Sequence, residues 1–148
     1  MGIIISMEWA AFARDALRTS GARSGAAREA VIGYLAAQPC GVSAQEVLAG
    51  VQAEGRTVGI ASVYRALDQL AELGLVHRID LGEGLTRFEP AQPDGEHHHH
   101  LVCGSCGKVD RFDDPALERA ISAVAGSHGY ALGHHDVVLR GACGDCRG

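Results

Sequence analysis

The sequence predicts an α+β fold in two domains, and three observations support this class. Up to about residue 73, apolar residues recur at the three- and four-residue spacing of amphipathic helices. Beyond residue 98, short apolar segments of strand length flank one helical pattern. Two C-x-x-C pairs bracket this second part, and 148 residues suffice for two small domains. We therefore predict an N-terminal domain at 1–90, a hinge at 91–96 and a small C-terminal α/β domain at 97–148.

The N-terminal domain is predicted to contain four helices. Three should span residues 7–19, 26–37 and 60–73, and the remaining one should begin at Ser43, whose spacing to Glu46 matches a capping box. Gly74 is the expected C-terminal stop of the last helix. The predicted apolar faces include Trp9, Phe12 and Ala16 in the first helix and Val63, Leu67 and Leu70 in the last.

A β-hairpin is predicted directly after these helices. The segment "LVHRID-LGEG-LTRFEP" reads as two short strands around a Gly-Glu-Gly turn. Three helices followed by a hairpin form a winged helix-turn-helix, so the N-terminal domain is predicted to have this fold.

The C-terminal domain is predicted to combine strands at 99–103, 108–112 and 136–140 with one helix. Asp114 and Pro115 suit the N-cap and first turn of this helix, which should end near Ser127. Its predicted buried stripe consists of Leu117, Ile121 and Val124.

The charge distribution says more about partners than the total does. The formal net charge is −5, which does not indicate a nucleic-acid binder. Between Trp9 and Arg28, however, four arginines face one acid, so an acidic protein carries a locally basic end. No apolar run approaches the roughly 20 residues needed to cross a bilayer. We expect a cytoplasmic protein without a membrane partner.

The cysteine pairs predict a structural zinc site. Cys103 and Cys106 are separated from Cys143 and Cys146 by 36 residues, and glycines adjoin each pair. Four thiolates can surround Zn²⁺ tetrahedrally at about 2.3 Å and leave no coordination position open. Two unrelated reduced pairs are the alternative. Cys40 stands apart, and we interpret it as a half-buried apolar thiol rather than a ligand.

The run "HHHH" at 97–100 divides into two pairs if it lies on a strand. Alternate side chains point to opposite faces, so His98 and His100 would serve one site while His97 and His99 would serve another. A solvated histidine patch with incidental metal affinity is the alternative. Possible additional ligands are His77, Glu89, Glu118, His134 and His135.

The motifs together resemble the ferric-uptake-regulator (Fur) family of dimeric, metal-sensing bacterial repressors. The resemblance rests on "GIASVYRALDQLAELGLVHR", "TRFE", "HHHHLVCGSCGKV" and "GACGDC" and covers roughly residues 15–147. It implies a homodimer that binds an A/T-rich palindromic operator in double-stranded DNA, and a C-terminal domain that mediates dimerisation.

The resemblance also implies three metal sites. The structural zinc falls on Cys103, Cys106, Cys143 and Cys146. A sensor site at the hinge falls on Glu89, His98 and His100, and zinc-sensing relatives add a ligand at the position of His77. A dimerisation-domain site falls on His97, His99, Glu118 and His135.

Departures from the family pattern bear on which metal is sensed. A histidine common in the family just before "VSA" is Gly41 here, and His77 is its candidate replacement. Arg111 stands where peroxide-sensing members carry a carboxylate, which argues against peroxide sensing. Nitrogen and carboxylate ligands suit Zn²⁺ or Fe²⁺. We favour zinc slightly over iron because of His77, and disfavour manganese and nickel.

The last N-terminal helix is the predicted DNA reader. Its positions outside the apolar stripe are Ala61, Ser62, Tyr64, Arg65 and Asp68 or Gln69. The resemblance assigns base or phosphate contacts to Tyr64 and Arg65, with Ser62 beside them, and a minor-groove contact to Arg23.

Two other functions compete with a metal-dependent repressor. A metal buffer or chaperone would use the histidines without needing a winged helix, and a winged-helix regulator could carry only structural metals. A metallohydrolase is disfavoured because the sequence shows no nucleophile, H-E-x-x-H helix or clear general base. We therefore expect no enzymatic activity.

Overall fold

The computed structural model describes residues 2–23, 25–38, 41–82, 84–91 and 98–148. The chain divides into two compact units, Met1–Glu96 and His97–Gly148. No helix in the described ranges combines the length and apolar character needed to cross a membrane. The predicted hinge lies almost entirely outside the described residues. Its first residue, Ala91, is buried and donates its N–H to the Leu75 carbonyl, so the first unit continues at least that far.

The first unit contains four helices and a two-stranded antiparallel sheet. Its core contains side chains from all four helices, and Trp9 anchors the first helix by donating its indole N–H to the Leu75 carbonyl over 2.9 Å. The elements are α1 (Gly2–Thr19), α2 (Ala26–Ala36), α3 (Ala44–Ala53), α4 (Ile60–Glu72), β1 (Val76–Asp80) and β2 (Thr86–Pro90).

Local signals in the sequence correctly predicted the start of α3 and the end of α4. Ser43 caps α3 in a reciprocal capping box with Glu46. At the end of α4, Gly74 has φ of 70° and its N–H bonds to the Ala71 carbonyl, while the Leu75 N–H bonds to the Leu70 carbonyl. This pair of bonds is a Schellman motif, which explains why a glycine ends the helix here.

The first helix differs from its prediction in extent and orientation. It begins at Gly2 rather than at residue 7. Phe12, expected on the apolar face, is 44% exposed. The core instead receives Trp9, Ala13 and Leu17, because side chains four residues apart share one helix face.

The hairpin is extended by a short bridge from the chain ahead of α3. β1 and β2 pair so that His77 lies opposite Glu89 and Arg78 lies opposite Phe88. Val42 and Phe88 exchange both backbone hydrogen bonds, at 3.1 and 2.8 Å. The segment at 41–42 is thereby attached to the edge of β2.

The second unit is a three-stranded sheet with one helix. The strands are β3 (His99–Cys103), β4 (Val109–Phe112) and β5 (Val138–Gly141), and the helix α5 spans Pro115–Ser127. β3 is central, antiparallel to β4 and parallel to β5. Asp114 caps α5 as predicted, and its carboxylate accepts the N–H groups of Ala116 and Leu117. Strand bounds agree with the sequence prediction to within two residues.

The predicted buried stripe of α5 is wrong. Leu117 and Ile121 are half-buried, and Val124 is 61% exposed. Among the described residues 98–148, only His99, His100 and Cys103 are buried. Over residues 98–148 this unit consists of one sheet and one helix, so no further layer within that range buries the apolar stripe of α5.

Candidate metal centres and nucleic-acid surface

Four cysteine sulfurs converge at one end of the second unit. Cys103 ends β3, Cys106 follows on the turn, and Cys143 and Cys146 form the turn after β5. Their sulfurs all lie within 4.8 Å of one another, with 3.7 Å between Cys106 and Cys143. Zn–S bonds of about 2.3 Å arranged tetrahedrally place sulfurs about 3.8 Å apart, whereas a disulfide requires about 2.05 Å. The separation therefore fits a tetrahedral Cys₄ zinc site.

Backbone amides around these turns favour thiolate at the first cysteine. The Cys143 N–H donates to Cys103 Sγ over 3.3 Å, and this bond and others from Cys106 and Ser105 lower the pKa of Cys103 to about 6. The pKa of Cys143 is also lowered, chiefly by the Asp145 N–H. Cys146 takes the opposite role, because hydrogen bonding to Cys143 and the other sulfurs raises its pKa to about 12. Since thiolate is the form that binds zinc, the backbone donors at Cys103 and Cys143 support metal binding at these two residues.

A second cluster lies where β3 meets α5. Glu118 Oε1 is 2.5 Å from His99 Nε2, and Glu118 Oε2 is 2.8 Å from His135 Nε2, so one carboxylate joins two imidazoles. The Val137 N–H also points to His99 Nδ1 at 3.2 Å. His99 is 1% exposed, and two nitrogens with a carboxylate form a ligand set that Zn²⁺, Fe²⁺ or Mn²⁺ can use. The donor atoms lie within 4.8 Å of one another, which fits a single ion.

The other histidines of the run are placed differently. Within the described residues, the cluster with Glu118 contains His99 and neither His98 nor His100. His100 is buried on β3, where strand alternation places it on the face opposite His99, and His98 immediately precedes that strand. His97, the expected fourth ligand of the second cluster, lies outside the described residues. Cys40 lies outside them as well, so its interpretation as a half-buried thiol stays a prediction.

The remaining sensor candidates lie together on the hairpin. His77 and Glu89 are direct cross-strand partners and therefore project on the same face of the sheet. Glu89 is 8% exposed, and its Oε1 accepts the Gly41 N–H over 3.2 Å. Sequence reasoning identified both ligand candidates but missed the amide that holds Glu89, because that bond joins residues 48 positions apart.

The recognition helix α4 presents a polar face to solvent. Its buried residues are Val63, Ala66, Leu67 and Leu70, which leaves Tyr64 and Arg65 exposed. Tyr64 accepts a hydrogen bond from Gln45 on α3, and the Arg65 guanidinium donates to Ser62 over 3.1 Å. These contacts orient the two side chains without burying them.

Two further α4 residues expected to face DNA are engaged within the first unit. Asp68 forms a salt bridge with Arg78 of the hairpin. Gln69 accepts a 2.6 Å hydrogen bond from Arg28 of α2. The helical period alone could not reveal these partners because they come from other elements.

The arginines at the basic end of the chain line a concavity of about 370 Å³ between α1 and α2. Its lining includes Arg14, Arg18, Arg23 and Arg28. Arg14 is paired with Glu29 and Arg18 with Asp15. Arg23 is exposed and lies in the loop ahead of α2. The surface therefore remains net basic in a chain whose formal charge is −5.

Comparison with known proteins places this arrangement in a family. Residues 19–140 match the Ferric uptake regulator family. The ferric uptake regulation protein of Bordetella parapertussis is 40% identical over 106 residues, which cover 72% of this chain and 75% of the relative.

Solved structures agree with the sequence relationship. The Helicobacter pylori ferric uptake regulator, whose structure is described as revealing three functional metal binding sites, superposes with a TM-score of 0.82 at 25% identity, covering 97% of this chain and 94% of the other. The Vibrio cholerae regulator reaches a TM-score of 0.75 at 32% identity, covering 87% and 98%. The chain therefore belongs to the ferric uptake regulator family of metal-dependent transcriptional regulators.

Proposed function

We propose that the protein is a homodimeric repressor that binds operator DNA when a regulatory metal ion is bound. The observation that carries this proposal is the combination of units in one chain. The first unit is a winged helix with an exposed Tyr64–Arg65 face, and the second contains separate thiolate and imidazole–carboxylate clusters. A metal buffer would have no use for that helix face. Because its target is chromosomal DNA, we place the protein in the cytoplasm.

Three sets of ligands would form three metal sites with different roles. The four cysteines would hold structural zinc, and the bound ion would stabilise a unit with few buried side chains. His99, Glu118 and His135 would form the dimerisation-domain site, completed by His97. The sensor site would take His77 and Glu89 from the first unit and His98 and His100 from the second.

Metal binding at the sensor site would switch the protein between two conformations. Metal coordination links ligands that belong to different units, and the ion favours one conformation only by the difference in its affinity for the two states. A difference of about 3 to 5 kcal/mol suffices for a useful switch. In the DNA-binding conformation, the two recognition helices of the dimer would read a palindrome with Arg65 and Tyr64 in the major groove. Arg23 would contact an A·T-rich minor groove.

Zn²⁺ and Fe²⁺ are the two candidate ions for the sensor site. The interpretation of His77 as a zinc-sensor ligand favours Zn²⁺. The names of the related ferric uptake regulation proteins favour Fe²⁺. Nitrogen and carboxylate donors suit both, so the response of DNA binding to each metal is the deciding property.

The test is a metal-by-metal gel shift on protein that keeps its cysteine-bound zinc. Duplexes selected from a random library would be titrated with Zn²⁺, Mn²⁺ or anaerobic Fe²⁺, first with wild type and then with His98→Ala. We expect His98→Ala to lose the metal-induced increase in DNA affinity, while His128→Ala, an exposed histidine at the end of α5, should keep it. DNA binding that ignores added metal would indicate purely structural metals, and absent DNA binding would indicate a buffer.

A further inference from the structure

Gly41 is required by space rather than by backbone conformation. The glycines with positive φ in the described residues include Gly74 and Gly107 but not Gly41, so any L-residue could adopt its backbone angles. The volume beside it is the constraint. A Cβ built on Gly41 would lie 2.7 Å from Glu89 Cγ and 3.2 Å from Glu89 Oε1. Carbon atoms in van der Waals contact lie about 3.5 to 4.0 Å apart, so a side chain at position 41 and the observed Glu89 cannot coexist.

The backbone at residues 41 and 42 is held by two contacts with β2. The neighbouring Val42 pairs with Phe88 on β2, and Arg87 donates to the Gly41 carbonyl over 3.3 Å. Arg87 also forms a 2.9 Å salt bridge with Glu46, the partner of Ser43 in the α3 capping box. Because these contacts restrain the backbone at 41–42, relief of a clash falls on the Glu89 side chain.

We propose that Gly41 is a positioning residue for the regulatory metal, whose absent side chain admits the Glu89 carboxylate and whose N–H orients it beside His77. The inference rests on the proposed sensor site and adds how this chain prepares it. The family's common histidine at this position is missing here, and the Glu89 side chain lies against the point where a Cβ at position 41 would be. The buried carboxylate thus receives a fixed donor from the backbone, which reduces the reorganisation needed on metal binding.

The experiment measures Zn²⁺ affinity at the sensor site by competition with a chromophoric chelator, using full-length protein whose cysteine zinc is in place. Zn²⁺ is a suitable probe for either biological metal because such sites bind it more tightly than Fe²⁺. We expect Gly41→Ala to weaken Zn²⁺ binding by about 10- to 100-fold, as loss of a supporting contact to a ligand commonly does. Gly33→Ala on α2 is the matched control, since its added methyl meets no atom within 4 Å.

A double-mutant cycle separates positioning from a general structural effect. If the clash with Glu89 is the cause, adding Gly41→Ala to Glu89→Ala should cost no further affinity, because the obstructed side chain is gone. A lower melting temperature for Gly41→Ala with unchanged Zn²⁺ affinity would overturn the inference. Should Gly41→Ala alone fail to fold, restored folding in the double variant would support the contact, and failure there too would refute it.

The result also separates this inference from the proposed function. If Glu89→Ala weakens Zn²⁺ binding and Gly41→Ala does not, only the positioning role is wrong. If Glu89→Ala binds Zn²⁺ like wild type, Glu89 is not a sensor ligand and the inference fails with it. The His98→Ala gel shift then reports independently on whether DNA binding is metal-dependent.

Discussion

Loss of one zinc ligand should unfold the second unit and leave the first intact. The perturbation is Cys106→Ser, which removes an exposed sulfur from the Cys₄ cluster while changing no apolar packing. In the described part of this unit only three side chains are buried, and two of them are histidines. Apolar burial therefore contributes little stability, and coordination must supply most of it.

The magnitude follows from comparing two free energies. Structural zinc contributes an apparent ~10–16 kcal/mol in small zinc domains, whereas whole domains are stable by about 5–15 kcal/mol. The free energy lost with the ion should therefore exceed the free energy of unfolding of a unit with so small a core. The first unit should survive, because its core contains apolar side chains from all four helices and does not use the cysteines.

Two probes report on the two units separately. Trp9 is the only tryptophan of the chain and lies in the first core, so its fluorescence reports on the first unit. Amide hydrogen exchange over His99–Cys103 and Pro115–Ser127 reports on β3 and α5 of the second. We expect Cys106→Ser to lose zinc and amide protection there while Trp9 emission stays unchanged. Ser105→Ala, on the same turn, should keep both zinc and protection.

Retained amide protection in zinc-free Cys106→Ser protein would refute this reasoning. It would mean that the half-buried residues of the sheet and α5 stabilise the unit without the ion.

Two further variants test the other sites. Arg65→Ala should weaken operator binding by about 10- to 100-fold, corresponding to about 1–3 kcal/mol for a lost base contact, without changing metal content or dimerisation. The exposed Arg119→Ala on α5 controls for loss of one positive charge, and equal gel-shift affinities for the two variants would contradict the role of Arg65. Glu118→Ala should lower metal stoichiometry by one ion per chain while retaining the cysteine zinc, because Glu118 bridges His99 and His135. If elemental analysis shows unchanged stoichiometry, this cluster does not bind a metal ion.

Local sequence signals determined most of the secondary structure. The capping box at Ser43, the glycine stop after α4 and the Asp-Pro start of α5 each depend on residues within one or two helical turns. Such interactions are fully contained in a short window of sequence, so they can be read without knowing the fold. The four cysteines also converge as their spacing indicated.

The predictions of which helix faces are buried were less accurate. The stripe of Leu117, Ile121 and Val124 on α5 is apolar and predicts burial, yet Val124 is exposed, because periodicity identifies a face without identifying what covers it. Phe12 shows the same limit on α1, where the core accepted Ala13 and Leu17 instead.

By itself the sequence determined that the cysteines, histidines and Glu118 carry metal-binding groups, which face of α4 is polar, and that His99 and His100 lie on opposite faces of β3. These properties depend on side-chain chemistry and on the period of a strand or helix. Only the tertiary structure decided that Glu118 joins His99 to His135, that Arg28 holds Gln69, and that Glu89 fills the space beside Gly41. The physical reason is that these contacts join residues about 17 to 48 positions apart, and their distances depend on how whole elements pack.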